Sequence, residues 1–388
     1  MKKFIQYIKA ISEEPIIPKK AKLTTTILMP QLDTTEGIYR SLLPSYVINN
    51  IEKDLRMLIA GLSANMNISN NDKDFHISKE LMEETDHFVF PFVSFPLRPV
   101  VEKIREYKPS IKFSYYIDAN YYLMPDAYPF AKQYKLAKMI ESIEDNIEVV
   151  DQVITTNDFM NEYIIAKLKE KYPDKTFGTL FLRQRLFIMP ELMKTEYANE
   201  PKKGTIRALI IGDQYQFSDM NYIAGVLKDF KCKYKDVFEL HIIGWDGRRN
   251  DKTYLPKEDF TYHERVPYPK YFELIKHIGP NVLIIPANKN KFNDTTKNIV
   301  KYLEFAHMNI TVIGPFIEPY KELITSNKNG FLCEDKESYA FQLETMLTEP
   351  AKYEGTLGLA YATAVDYNIA ESGNMDKLKK IYFPDYAK

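Results

Sequence analysis

The stretch "FNDTTKNIVKYLEF", residues 292–305, separates two short apolar runs, at 282–286 and 310–314. Runs of this kind predict buried parallel strands, and the stretch between them has the spacing of a helix over about 295–307. Asp294 or Thr295 is expected to cap the start of that helix. A strand, a helix and a second strand in this order predict a βαβ unit, which indicates an α/β fold.

Three charged residues share one face of the predicted helix. At 100° per residue, Lys297, Lys301 and Glu304 fall within an arc of about 60°. A helix start at the carboxyl edge of a sheet suits a phosphate, and Lys297 would add a full charge in the first turn. Glu304 could accept hydrogen bonds from ribose hydroxyls. On spacing alone, a solvated face of an amphipathic helix is favoured; the two close lysines repel, which a bound anion would explain.

The same alternation of strands and helices continues in both directions along the chain. In the second half, strands are predicted at 206–211, 237–243, 281–285 and 310–313, and helices at 219–230, 269–278, 295–307, 318–325 and 336–348. In the first half, strands are predicted at 23–29, 55–60, 87–90, 111–117 and 149–155, and helices at 36–50, 97–106, 127–145 and 157–171. We therefore predict two doubly wound, Rossmann-like α/β domains facing a central cleft.

A polar segment with two prolines interrupts this pattern before residue 205. It predicts a first domain at 1–190, a linker at 191–204 and a second domain at 205–350. The remaining residues, 351–388, are expected to form helices that cross back to the first domain.

Bulk composition excludes several classes of protein. The 388 residues carry a net charge of −1, which does not favour a nucleic-acid partner, although a local basic patch stays possible. Two cysteines give neither a disulfide framework nor metal-ligand spacing and favour the cytoplasm. No run is long enough to span a bilayer. Residues 1–22 are basic and partly amphipathic, so they predict either a packed first helix or a weak contact with a membrane surface.

An ordered set of residues around the opening stretch resembles a known family, the GT-B glycosyltransferases of the retaining "group 1" type. The resemblance covers most of the chain, but before residue 204 it consists only of scattered matches. The set comprises Phe292, Asn293, Lys297, Lys301, Glu304, Phe305 and Ala306, then Gly314, Glu318, Pro319 and Tyr320, then Asn329 and Gly330. Weaker matches are Gly212-Asp213, the segment 266–274, the pattern from Asp33 through Gly37 and Arg40 to Pro44, and Asp118 with Asn120.

The resemblance implies a nucleotide-sugar site in the second domain and roles for individual residues. Lys297 would act on the donor diphosphate, Glu304 would bind the ribose, and the turn at 314–320 would lie near the sugar. The donor-binding residues are then expected to be Gly212, Asp213, Asn293, Thr295, Thr296, Lys301, Glu304, Glu318 and Tyr320. Asp118 and Lys297 are the candidate catalytic residues, and Asp33, Gly37 and Arg40 are the candidate acceptor-side residues.

The chain departs from the family pattern at three places. Thr296 stands where many relatives have a first glutamate, and Asn298 stands where they have serine. The stretch 214–221 contains no lysine or arginine, although the family commonly has a basic residue after this strand. Lys297 and the helix start would therefore do more of the diphosphate binding, or the donor differs.

Other catalytic motifs are absent from the sequence. There is no Gly-x-Gly-x-x-Gly of a dinucleotide dehydrogenase, no phosphate-binding P-loop and no nucleophile elbow. Carboxylates and histidines lack ligand spacing, so no metal site is predicted.

We therefore predict a metal-independent hexosyltransferase that moves a sugar from a nucleotide-diphosphate donor to a hydroxyl acceptor. The expected acceptor is a carbohydrate, a lipid-linked group or another hydroxyl compound, and the nucleotide sugar is a co-substrate, with no further cofactor. Retention of configuration follows only from the resemblance. Three alternatives stay open: a sugar-nucleotide epimerase of the same fold, a non-catalytic binding or assembly protein, and a transferase that glycosylates modified DNA bases.

Overall fold

The computed structural model contains two compact units, each built on one six-stranded parallel sheet. The residues that the structure describes are 21–28, 34–60, 77, 79–93, 95–126, 128, 131–174, 180–183, 188, 203–212, 216–244, 255 and 259–386. The first unit comprises Met1–Tyr122, Tyr134–Met189 and Ile369–Lys388, and the second comprises Leu123–Gln133 and Pro190–Asn368.

The first unit has the strand order β2-β1-β3-β4-β5-β6, with every neighbouring pair parallel. Its strands are β1 (Leu23–Leu28), β2 (Leu55–Ala60), β3 (His87–Phe90), β4 (Lys112–Ile117), β5 (Gln152–Thr155) and β6 (Leu180–Arg183). β3 is buried at all four positions, and three of these are apolar, as expected where helices cover a parallel sheet.

Seven α-helices accompany these strands among the described residues of the first half of the chain. They are α1 (Thr35–Gly37), which continues through a π-helical turn (Ile38–Leu42) into α2 (Leu43–Ile51), then α3 (Lys79–Glu84), α4 (Arg98–Tyr107), α5 (Ala131–Leu136), α6 (Met139–Val149) and α7 (Asp158–Lys171).

The second unit has the strand order β12-β11-β10-β7-β8-β9, again with all pairs parallel. Its strands are β7 (Ile206–Ile211), β8 (Phe238–Ile243), β9 (Thr261–His263), β10 (Val282–Ile284), β11 (Thr311–Pro315) and β12 (Phe331–Cys333). Its helices are α8 (Phe217–Lys233), α9 (Tyr268–Ile278), α10 (Lys291–Thr296), α11 (Val300–His307), α12 (Tyr320–Leu323), α13 (Lys336–Thr348) and α14 (Pro350–Val365). The predicted α/β class with two doubly wound sheets is confirmed.

The helix predicted over 295–307 is wrong in one important respect, because two helices occupy the segment. α10 ends at Thr296, the next residue, Lys297, has an extended backbone (φ −63°, ψ 148°), and α11 begins at Val300. The Asn298 side chain accepts the backbone N–H of Val300 at 3.1 Å, so it starts a new helix, a role that asparagine prefers to a helix interior. Lys297 therefore does not share a helical face with Lys301 and Glu304.

Two further sequence predictions need correction. Asn290, and neither Asp294 nor Thr295, caps α10 by accepting the backbone N–H of Asn293. The helix predicted over 127–145 is divided into α5 and α6, and Lys138 between them has a positive φ of 49°.

The last described helix, α15 (Ser372–Tyr382), belongs to the first unit, whereas α14 belongs to the second. The carbonyl oxygen of Tyr382 accepts hydrogen bonds from Thr25 Oγ1 at 2.5 Å and from His87 Nδ1 at 2.8 Å. Gln152 Nε2 donates to the carbonyl of Ile381 at 2.9 Å. The end of α15 is thus joined to β1, β3 and β5. None of the described helices combines the length and the apolar character needed to cross a membrane.

Candidate functional site

The carboxyl edge between β7 and β10 is where the second sheet changes its direction of winding. The chain moves outward from β7 through β8 to β9, and then returns to the other side of β7 with β10. Ligands of open α/β sheets bind at such a switch point. The elements that follow these two strands, α8 after β7 and α10 with α11 after β10, therefore supply the candidate site.

An aspartate from α8 holds the segment that follows β10. Asp219 Oδ2 forms an ion pair with Lys297 Nζ at 2.6 Å. Asp219 Oδ1 accepts from Asn293 Nδ2 at 2.9 Å and from the backbone N–H of Asn288 at 3.1 Å. The Asp219 side chain is 9% exposed and that of Lys297 is 16% exposed, so the pair lies mostly out of water. Asn293 is buried, and its amide also donates to the carbonyl of Asn288 at 2.7 Å.

The second lysine of the segment reaches the end of β7. Lys301 Nζ donates to the carbonyl oxygen of Ile211 at 2.5 Å and to Gln216 Oε1 at 3.0 Å. Both of these partners are uncharged, so no carboxylate offsets the charge of Lys301 in these two contacts. Lys301 therefore joins α11 to the end of β7 and to Gln216.

Two glycines allow close backbone packing at the same edge. A Cβ on Gly212 would lie 2.9 Å from Gln216 Oε1. Gly244, which ends β8 with a φ of +91°, would place a Cβ 2.8 Å from the carbonyl oxygen of Gly212. Only glycine fits at Gly244 without strain, so the strand ends can lie against each other.

Glu304 is buried beneath two tyrosines of α9. Tyr268 donates to Glu304 Oε1 at 3.2 Å, and Tyr271 donates to Oε2 at 3.4 Å. Burial, followed by the charge of Glu304, raises the pKa of the Tyr271 hydroxyl well above its usual value of 10. Tyr271 therefore stays a protonated donor, and the two tyrosines hold the Glu304 carboxylate as an acceptor.

The other predicted donor residues have mainly local contacts. Thr295 Oγ1 donates to the carbonyls of Lys291 and Phe292 within α10. Thr296 is half-buried in the last turn of α10. Glu318 pairs with Lys321 at 2.6 Å. Tyr320 is fully buried, and Asp213 lies outside the described residues.

In the first unit, two predicted residues are brought together. Arg40 Nη1 lies 4.0 Å from Asp118 Oδ2, and the Arg40 guanidinium lies over the Tyr116 ring at 4.3 Å. Tyr121 donates to Asp118 Oδ1 at 3.1 Å. Gly37 contributes its backbone N–H to the Thr34 hydroxyl that caps α1. Asp33 lies outside the described residues.

Within the part of the chain that the structure describes, no group of three or more His, Cys, Asp or Glu side chains could hold a metal ion. The nearest arrangement is a histidine pair at the far side of the second sheet, with His241 Nδ1 2.9 Å from His263 Nε2. Burial and the neighbouring His263 lower the pKa of His241 to about 4, so this pair is neutral at ordinary pH.

Sequence reasoning did not identify several residues of the site, namely Asp219, Gln216, Tyr268, Tyr271 and Tyr121. The absence of lysine and arginine from residues 214–221 was a signal in the sequence at this position. The contact of Asp219 with Lys297 was not, because the two residues are 78 positions apart. The two tyrosines of α9 are three residues apart, a spacing that places them on one helical face.

The comparisons with known proteins show the fold. No family model and no curated protein matches this chain. Among solved structures, sucrose-phosphate synthase from Thermosynechococcus elongatus is similar with a TM-score of 0.62 and 13% identity over 94% of this chain and 99% of that one. A glycosyltransferase from Rickettsia africae ESF-5 gives 0.59 and 14%, over 93% and 98%. HepE from Anabaena, in complex with UDP-glucose, gives 0.60 and 10%, over 92% and 99%. The chain has the GT-B fold of these proteins.

Proposed function

We propose that this chain is a glycosyltransferase that moves a sugar from a nucleotide-diphosphate donor to an acceptor hydroxyl, without a metal ion and with retention of configuration. The observation that carries the proposal is the set of side chains at the switch point of the second sheet. Two lysines, Lys297 and Lys301, and a buried glutamate, Glu304, lie on the elements that follow β10, where α/β folds bind nucleotides.

Each donor residue has a chemical task in this proposal. Lys301 and the start of α11 face the diphosphate, whose negative charge grows as its oxygen leaves the anomeric carbon. Glu304, fixed by Tyr268 and Tyr271, accepts hydrogen bonds from ribose hydroxyls. The acceptor oxygen forms the new bond to the anomeric carbon as the bond from that carbon to the diphosphate oxygen breaks, and the acceptor proton passes to the departing diphosphate.

On the acceptor side, the proposal relies on Asp118. Its carboxylate is fixed by Tyr121 and lies near Arg40, and its side chain is 28% exposed, so it stays accessible to a ligand. We assign Asp118 the task of orienting the acceptor hydroxyl, and Arg40 the task of holding the Asp118 side chain in position.

Calorimetric titration of the full chain tests the donor site. The panel comprises UDP, GDP, ADP, CDP and TDP, with uridine as a ligand that lacks phosphate. UDP is the first candidate, because HepE is similar in fold and was solved with UDP-glucose. At least one diphosphate should bind, and the matching nucleotide sugar should protect the chain against thermal unfolding. Absence of binding by all five diphosphates would contradict the proposal, and conversion of the sugar without any acceptor would indicate an epimerase instead.

A further inference from the structure

The candidate diphosphate site contains a buried acid, Asp219, directly beside one of its two lysines. Asp219 lies in the first turn of α8, is buried, and forms an ion pair with Lys297. Its two oxygens bind the Lys297 ammonium, the Asn293 amide and the backbone of Asn288. A single carboxylate thus fixes three donors of the segment that leads into α11.

This contact changes the charge of the site. Lys297 and Asp219 together have no net charge, and their atoms are 2.6 Å apart with little exposure to water. A diphosphate that approaches Lys297 must therefore compete with a carboxylate that already holds it. Lys301, by contrast, is bound to a carbonyl and an amide oxygen, and these do not cancel its charge.

We propose that Asp219 acts as an internal counter-ion of Lys297 and weakens the binding of nucleoside diphosphates. The inference rests on the function proposed above. In the free protein Asp219 holds Lys297, and in the complex Lys297 is shared with the diphosphate. Because the diphosphate is both part of the donor and the product left after transfer, the counter-ion keeps the affinity for this product low and assists its release.

Asp219→Asn tests the proposal with little change of shape. The asparagine oxygen can still accept the N–H of Asn288 and the amide of Asn293, while the charge opposite Lys297 is removed. Affinity for the diphosphate that binds best should rise about tenfold. This is the size expected when a negative charge close to the bound phosphates is removed from a partly screened site. Affinity for uridine should not change, since uridine has no phosphate.

One control and one further variant separate this role from a structural one. Asp229→Asn removes an exposed carboxylate from the same helix and should leave diphosphate affinity unchanged. Asp219→Ser is a second variant that also frees Lys297, so it should raise the affinity if Asp219→Asn folds poorly. Melting temperatures of all variants identify any loss of folding.

The effect should also depend on Lys297. In a Lys297→Met background, Asp219→Asn should gain less affinity, because there is no lysine to release. An equal gain in both backgrounds would overturn the counter-ion role, as would unchanged or weaker diphosphate binding by Asp219→Asn and Asp219→Ser. If neither the natural chain nor any variant binds one of the five diphosphates, the proposed function fails together with this inference. If the natural chain binds and the variants gain nothing, only this inference fails.

Discussion

At the scale of single residues, the two lysines of the candidate donor site differ in what balances their charge. Lys297 is paired with a carboxylate, whereas Lys301 contacts the Ile211 carbonyl and the Gln216 side chain. Lys297 therefore already has a charged partner with which a phosphate must compete. The sequence alone favoured Lys297, because it cannot show that this lysine is paired with an acid 78 positions away.

We predict that Lys301→Met weakens diphosphate binding by about 10- to 100-fold, the range expected for a lost hydrogen bond to a charged group. The neutral double variant Lys297→Met with Asp219→Asn should lose less, because it removes a pair without net charge. Calorimetry with the diphosphate and with uridine measures both. Lys291→Met, an exposed lysine on α10, is the matched control. A smaller loss for Lys301→Met than for the double variant would contradict this ranking.

A second residue-scale prediction concerns His87 and the pH dependence of stability. Its Nδ1 donates to the Tyr382 carbonyl, so its Nε2 accepts from the Ser114 hydroxyl at 2.7 Å. Burial lowers the pKa of His87 to about 4, against 6.5 when exposed. The unfolded chain therefore binds the extra proton first, and the stability contributed by neutral His87 is present above pH 6.5 and is lost as the pH falls towards 4.

The expected loss is about 3 kcal/mol between pH 6.5 and 4, from 1.36 kcal/mol per unit of pKa difference. Urea unfolding of the natural chain at several pH values measures it. His87→Gln should flatten this part of the pH profile, although the variant starts from lower stability. His277→Gln, which changes an exposed histidine, should keep the slope. An unaltered slope in His87→Gln would show that other groups cause the acid sensitivity.

At the scale of secondary-structure elements, the strand ends of the second sheet define the site. Gly244→Ala places a methyl group 2.8 Å from the Gly212 carbonyl and forces a left-handed φ on alanine. We predict a destabilisation of at least about 1 kcal/mol together with weaker diphosphate binding, because the end of β7 has to move. Gly225→Ala, within α8 and with open space around it, is the control and should be neutral or stabilising. If Gly244→Ala binds the diphosphate as tightly as the natural chain, the end of β7 does not contribute to the diphosphate site.

The elements also show how far the sequence could predict the fold. Strands β7 and β8 were predicted because a covered parallel strand is a nearly continuous apolar run. β9 and β12 were not predicted, whereas β10, which also has three residues, was predicted because it lies within the longer apolar run 282–286. The break between α10 and α11 could not be predicted from periodicity, because a side-chain contact of Asn298 causes it. The segment 292–305 was recognisable as a candidate site, while its partner Asp219 required the tertiary structure.

At the scale of the whole molecule, each unit has its own sheet and its own apolar core. The boundaries placed from the sequence stay predictions, since most of the linker at 191–204 lies outside the described residues. Two cores favour unfolding in more than one step. A diphosphate that binds the second unit should raise only the midpoint temperature at which that unit unfolds.

Tyr382→Phe should lower the midpoint temperature at which the first unit unfolds. The Tyr382 hydroxyl donates to the buried carbonyl of Arg40 at 2.7 Å, and its loss should cost about 1–2 kcal/mol. Scanning calorimetry with and without the diphosphate assigns the transitions. Tyr386→Phe, at a tyrosine that is 43% exposed, is the control. If Tyr382→Phe instead lowers the transition that the diphosphate raises, the two units do not unfold separately.

The position of α15 in the chain has a consequence for biosynthesis. A ribosome makes β1 to β6 first, but the helix that binds the ends of β1, β3 and β5 is made only after the entire second unit. The nascent first unit therefore waits, with its polar strand ends uncovered, while nearly half of the chain, Pro190–Asn368, is translated. The second unit, whose strands are contiguous, can finish folding before the first. This order makes the unfinished first unit the form of the protein on which a chaperone would act.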